Sequence, residues 1–173
     1  MDRVFLDANV LFSAAYRVET PLRRLFTLPR TQLVTSAYAL EEARRNLSSG
    51  QQQAELERLC RSVEVVSVLP PQGELSILRK LPENDRPILW AAISVRATHL
   101  LSGDFKAFGR FYGQTINGVT IMPPAIWSAR NLRDQPSASG RRALRSSGSV
   151  RCGRSLVLVW ARRAPEAQGP GSR

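Results

Sequence analysis

Two apolar, strand-like runs in this chain each end on an aspartate: Val4-Phe5-Leu6-Asp7 near the start and His99-Leu100-Leu101-Ser102-Gly103-Asp104 much later. An open parallel sheet binds its ligands outside the carboxyl ends of its strands, so the two aspartates can meet at one edge despite their separation in sequence. Two further acids, Glu42 and Asp85, lie where helices can bring them to the same edge. Desolvated carboxylates that converge raise each other's pKa unless cations join them. The set therefore reads as an oxygen-donor site for a hard divalent ion, Mg²⁺ or Mn²⁺. Two such ions about 3.5–4 Å apart can activate a water and balance the charge on a phosphodiester under attack. Asp7 is the central ligand in this reading, because the end of a buried first strand is the most rigid support the chain offers.

Each acid also has a plainer reading. Asp85 is an ordinary N-cap candidate, Glu42 beside Arg44 and Arg45 suits a solvated helix face, and Asp104 after Gly103 suits a turn. Asp7 is harder to explain structurally, since charged groups are not placed at the edge of a core without cost. Glu41 and Glu42 are adjacent and point about 100° apart on a helix, so only one of them aims squarely at the site.

The elements that would carry these residues alternate in type. Arg3 to Asp7 reads as a buried strand, and Asn9 opens a helical run through Tyr16. Thr20-Pro21 is a cap followed by proline before a short helix ending near Pro29. Gln32 to Thr35 is a second strand, and Ser36 caps a helix from Ala37 to Leu47 with Leu40, Ala43 and Leu47 on one face. After a Ser-Ser-Gly break, Gln51 to Arg61 is helical, and the β-branched run Val63 to Leu69 is a third strand stopped by Pro70-Pro71. A short helix around Leu75 to Leu81 precedes an apolar helix, Ile88 through Val95, capped by Asn84 or Asp85 with Pro87 in its first turn. Thr98 to Ser102 is the fourth strand, Asp104 to Phe108 a short helix, Val119 to Met122 the fifth strand, and Pro123-Pro124 opens a closing helix with Ile126, Trp127 and Leu132. The alternation predicts an α/β fold around a parallel sheet.

With 173 residues and 43% hydrophobic content, the chain can build the core of one domain. The net charge of +11 favours polyanionic partners, and arginine, which forks onto phosphate oxygens, supplies all but two of its basic residues. The excess is uneven: 17 basic against 13 acidic residues up to Asp134, then eight arginines against Glu166 alone. Residues 135–173 are rich in Arg, Ser and Gly and lack periodicity apart from Leu156-Val157-Leu158-Val159-Trp160, so a domain at 1–134 and a disordered extension at 135–173 are expected. Cys60 and Cys152 form no metal-binding or disulfide pattern. Without a signal-like start or an apolar run near the roughly 20 residues of a membrane span, the expectation is a cytoplasmic protein with no membrane partner.

Four segments carry a family resemblance, in order. Val4-Phe5-Leu6-Asp7-Ala8-Asn9-Val10-Leu11-Phe12-Ser13 resembles the opening of PIN-domain nucleases, especially their toxin-like (VapC-like) branch. Thr35 to Glu42 resembles that family's strand-to-helix turn with its helical glutamate, Asn84 to Ala92 the aspartate before its Ala-rich helix, and Thr98 to Phe105 its final strand-end aspartate. The resemblance covers residues 3–132. It implies a three-layer α/β/α sandwich with a mostly parallel five-stranded sheet, and a metal-dependent endoribonuclease whose acidic quartet is Asp7, Glu42, Asp85 and Asp104. The family register favours Glu42 over Glu41. Asn9 and Ser102 match polar positions beside the metals, although threonine often stands where Ser102 does. A toxin–antitoxin role, an antitoxin partner and a homodimer are further implications.

Arg44, Arg45, Arg86, Lys106 and Arg110 lie close in sequence to the proposed ligands and could guide RNA phosphates. Unpaired strands or loops are the natural RNA target. His99 reads as a satisfied, partly buried histidine, and Trp90, Phe105, Phe108, Phe111 and Tyr112 as mostly core, with an aromatic near Asp104 able to stack on an unpaired base. An aspartyl phosphatase would need a second aspartate where Asn9 stands, and no Gly-rich phosphate loop follows the first strand. The alternative outside enzyme chemistry is a non-cleaving, RNA-binding PIN scaffold whose affinity is mostly electrostatic.

Overall fold

A computed structural model describes residues 1–69 and 75–133 of the chain. The expected stop at Pro70-Pro71, the side chain of Leu132, Cys152 and the extension 135–173 lie outside what it describes. Elements follow in the order β1 (Asp2–Leu6), α1 (Ala8–Tyr16), β2 (Thr31–Ser36), α2 (Ala37–Asn46), α3 (Gly50–Cys60), β3 (Val63–Val66), α4 (Arg86–Ser94), β4 (His99–Leu101), α5 (Phe105–Phe108), β5 (Thr115–Ile116), β6 (Val119–Met122) and α6 (Pro124–Arg133). The two short helices expected after Thr20 and around Leu75 to Leu81 are 3₁₀ turns, at Pro21–Thr27 and Leu78–Lys80. Tighter 3₁₀ winding is usual in such brief connectors.

The strands form one sheet in the order β3-β2-β1-β4-β6-β5. All neighbours are parallel except β5 and β6. Val4, Phe5, Leu6, Leu100, Leu101 and Ile121 have no exposed surface, as expected where helices cover both faces of a parallel sheet and its strands become continuous apolar runs. The right hand usual for crossovers between parallel strands predicts α1, α2 and α3 on one face and α4 on the other. The packing agrees: α1 lies against α2 and α3, while α4 rests on β2 and β4. The result is the expected α/β/α layering.

The sheet has six strands, not the five expected. The extra strand, β5, pairs antiparallel with β6 through Ile116↔Val119, so the loop between them is Asn117-Gly118 alone. Both residues have positive φ, +48° and +85°, which the right-handed twist of a two-residue hairpin requires and which Asn and Gly tolerate best. This signal is present in the sequence. At the other edge β3 ends at Val66, three residues before the expected Leu69.

Strand order reverses between β1 and β4: the chain moves outward from β1 to β2 and β3, then returns to place β4 on the other side of β1. The crevice outside the carboxyl ends of β1 and β4 is therefore the switch point at which open α/β sheets take their ligands.

Candidate active site

Asp7 and Asp104 stand at that crevice because they follow the two strands that flank it. Leu6 is in register with Leu101, and the Asp7 amide donates to the Leu101 carbonyl at 3.1 Å. The Asp7 side chain is almost wholly buried. Its Oδ1 accepts from the Ala8 amide at 2.6 Å, and its Oδ2 accepts from Asn9 Nδ2 at 2.7 Å. Asn9 also ties the two strand ends together: Nδ2 donates to Ser102 Oγ at 3.2 Å, and Oδ1 accepts from the Gly103 amide at 2.8 Å. A Cβ on Gly103 would come within 3.2 Å of that Oδ1, so the glycine keeps the approach close. Ser102, fully buried, accepts from the Asp104 amide at 3.1 Å.

Asp104 caps α5. Its Oδ1 accepts from the Lys106 amide at 2.8 Å and the Ala107 amide at 3.0 Å, and the other oxygen has no hydrogen bond among the described residues. Asp85 occupies the N-cap position of α4 yet makes no capping hydrogen bond with its side chain. The plain structural readings are thus exchanged. Both strand-end aspartates cap helices, and the aspartate best placed in sequence to be a cap does not.

The two glutamates separate just as clearly. Glu41 is exposed and ion-paired with Arg44 at 3.4 Å and Arg45 at 3.8 Å. Glu42, half-buried, enters no ion pair among the described residues; its charge acts on Asp7 and Asp85, and it feels that of Asp104. Helical geometry rotates neighbours by about 100°, so one glutamate joins the arginines and the other the acids.

The four carboxylates share one field. Burial pushes the Asp7 carboxyl up to about 6 against the lowering effect of hydrogen bonds from Ser102 and the Ala8 amide, with the charges of Asp85 and Glu42 adding to the rise. Asp85 is also pushed up to about 6, by burial first and then by Asp104 and Glu42. Glu42 is raised by burial and by Asp104, with Arg45 opposing. Tyr112, whose hydroxyl donates to the Ser102 carbonyl at 3.0 Å, is raised by burial and by the charges of Asp104 and Asp7. Among the described residues, no three His, Cys, Asp or Glu side chains close into a coordination shell as they lie. What the fold brings together is a cluster of carboxylates in which Asp7, Glu42 and Asp85 are raised by burial and by their acidic neighbours. Its all-oxygen donor set fits a hard divalent cation in type.

The basic residues flanking the acids divide by side. Arg44 is held by Glu41 and by Glu57 at 3.9 Å, Arg45 by Glu41, and Arg86 by Glu83 at 3.8 Å and the Leu81 carbonyl at 3.1 Å. Lys106 and Arg110 are exposed on the α5 side. Phe105, expected in the core, is 75% exposed. It follows the capping Asp104, and the buried positions of its short helix are Ala107 and Phe108. His99 lies away from the acids, its ring 6.1 Å from Trp127 and its Nδ1 3.0 Å from Thr98 Oγ1. Burial lowers its pKa, in keeping with the satisfied, partly buried reading.

No protein-family model matches this chain, and no curated protein matches it. Among solved structures it is similar to VapBC-1 from nontypeable Haemophilus influenzae, with a TM-score of 0.46 and 20% identity over 71% of this chain and 98% of that one.

Proposed function

We propose that this protein is a metal-dependent endoribonuclease, with Asp7, Glu42, Asp85 and Asp104 as the carboxylates that hold Mg²⁺ or Mn²⁺. The observation that carries the reading is the placement of two strand-end aspartates at the β1–β4 switch point, bridged by Asn9, with Glu42 and Asp85 inside the same field. When bound, the divalent ions supply an activated water and offset the charge that develops on the phosphate.

The chain's own residues do the rest. Asn9 fixes the Asp7 carboxylate and ties it to the β4 end, Ser102 aligns the Asp104 backbone, and α5 holds the Asp104 side chain through two amides. Rigid support of this kind keeps donor oxygens where a site needs them. The RNA preference rests on the net positive charge and the exposed Lys106 and Arg110. The resemblance of four segments to toxin-like PIN nucleases extends the proposal to a toxin role with a cognate antitoxin.

Purified protein given Mn²⁺ or Mg²⁺ should cut single-stranded RNA, and Asp7→Asn and Asp104→Asn should each abolish cutting. Mn²⁺ should also raise the melting temperature of the wild type by mass action and leave that of either variant unmoved. Undiminished cleavage by both variants would refute the assigned site.

A further inference from the structure

The residues that follow Asp104 in the chain line a groove to which none of the four acids contributes. Phe105 immediately follows Asp104 and leaves 75% of its surface to solvent, giving up most of what burying an aromatic ring contributes. The ring is nevertheless held in place. It leans on Tyr112 with centroids 6.2 Å apart, and it lies so close over Gly109 that a Cβ there would stand 2.8–3.0 Å from its atoms.

Lys80, Pro82, Lys106 and Arg110 surround the ring in an open groove of about 770 Å³. Lys80 and Lys106 are the only lysines in the chain. No ion pair among the described residues involves Lys80, Lys106 or Arg110, whereas the arginines on the α2 and α4 side are tied to Glu41, Glu57 and Glu83. Arg110 rests its guanidinium over the Phe111 ring at 4.7 Å, which positions the charge without neutralising it. Cations outside ion pairs and an exposed, positioned aromatic face are the two elements that bind a single strand: the ring stacks a base and the cations track the backbone.

We propose that this groove is the track for a single-stranded nucleic acid entering the acid site, with Phe105 stacking a base beside Asp104 and Lys80, Lys106 and Arg110 contacting flanking phosphates. The direction of the strand toward Asp104 rests on the nuclease reading above. The binding itself does not. Because Phe105 is exposed, its removal leaves the core intact.

Fluorescence anisotropy of the metal-free full chain with a labelled single-stranded RNA oligonucleotide tests the groove. Phe105→Ala should weaken binding about five- to tenfold and leave a matched duplex nearly unaffected. Gly109→Ala keeps the ring but displaces it, and should reproduce part of the loss. Each of Lys80→Ala, Lys106→Ala and Arg110→Ala should lower the slope of log affinity against log salt by about 0.7. With Mn²⁺ present, the effect of Phe105→Ala should fall on KM rather than on kcat. Unchanged affinity and unchanged salt slope across these variants would overturn the groove and assign the patch to a protein partner, with RNA cutting by the wild type still standing. Groove-dependent binding without any cutting would instead overturn the nuclease reading and leave the groove intact.

Discussion

At Asp7 a helix cap and a proposed ligand are the same carboxylate. The cap favours the ionised form, and burial together with Asp85 and Glu42 opposes it, leaving the carboxyl at about 6. Asp85 reaches about 6 as well. A carboxyl whose folded pKa lies above its unfolded value binds more protons when folded between those two values. The metal-free protein should therefore gain stability as pH falls from about 6 toward 3.8, which thermal melts across that range would show. Asp7→Asn keeps a capping oxygen but removes the buried charge. It should be more stable at neutral pH by about 1 kcal/mol, with a flatter pH dependence. Metal uptake has the opposite sign, because the ligands must be deprotonated, so Mn²⁺ affinity should fall as pH drops through about 6. Asn9→Ala strips a partner from Asp7 Oδ2 and from the Gly103 amide. Chemical denaturation should register a loss of about 1–3 kcal/mol.

Among the elements, α2 owes its start to Ser36, whose hydroxyl accepts from the Ala39 amide at 3.1 Å. Ser36→Ala should cost about 1 kcal/mol in a denaturant titration, and because α2 carries Glu42 it should also weaken the Mn²⁺-induced rise in melting temperature. The β5–β6 hairpin depends on Gly118 at φ +85°. Gly118→Ala should cost about 1 kcal/mol without altering RNA cleavage, since the hairpin lies at the sheet edge remote from β1. The helices and strands themselves were legible to within a few residues. Their apolar periodicities and caps are local, and the fully buried parallel strands announce themselves as unbroken runs. The hairpin was legible too, in Asn117-Gly118, but the β5 strand is only two residues long and offers no alternating pattern.

For the whole molecule, charge is the property that reaches furthest. Eight of the 25 basic residues follow Asp134, while the buried core residues among those described belong to the segment before it. A chain ending at Asp134 should melt as cooperatively as the full one, retain RNA cutting, and bind RNA more weakly with a shallower salt dependence, because fewer arginines release counterions. No helix among the described residues is long and apolar enough to cross a membrane.

The sequence by itself determined the alternation of strands and helices, the burial of the central strands, and the presence of Asp7 and Asp104 at strand ends, since each depends on residues close together in the chain. Only the tertiary structure decided that β4 lies beside β1, which turns two distant aspartates into neighbours through long-range pairing that no local pattern encodes. It also decided matters of side-chain direction and partner choice: Glu41 takes the arginines while Glu42 faces the acids, Asp85 forgoes its cap, and Phe105 stays in solvent beside cations that enter no ion pair among the described residues. Those outcomes depend on what each side chain meets across the fold, not on its neighbours in the chain.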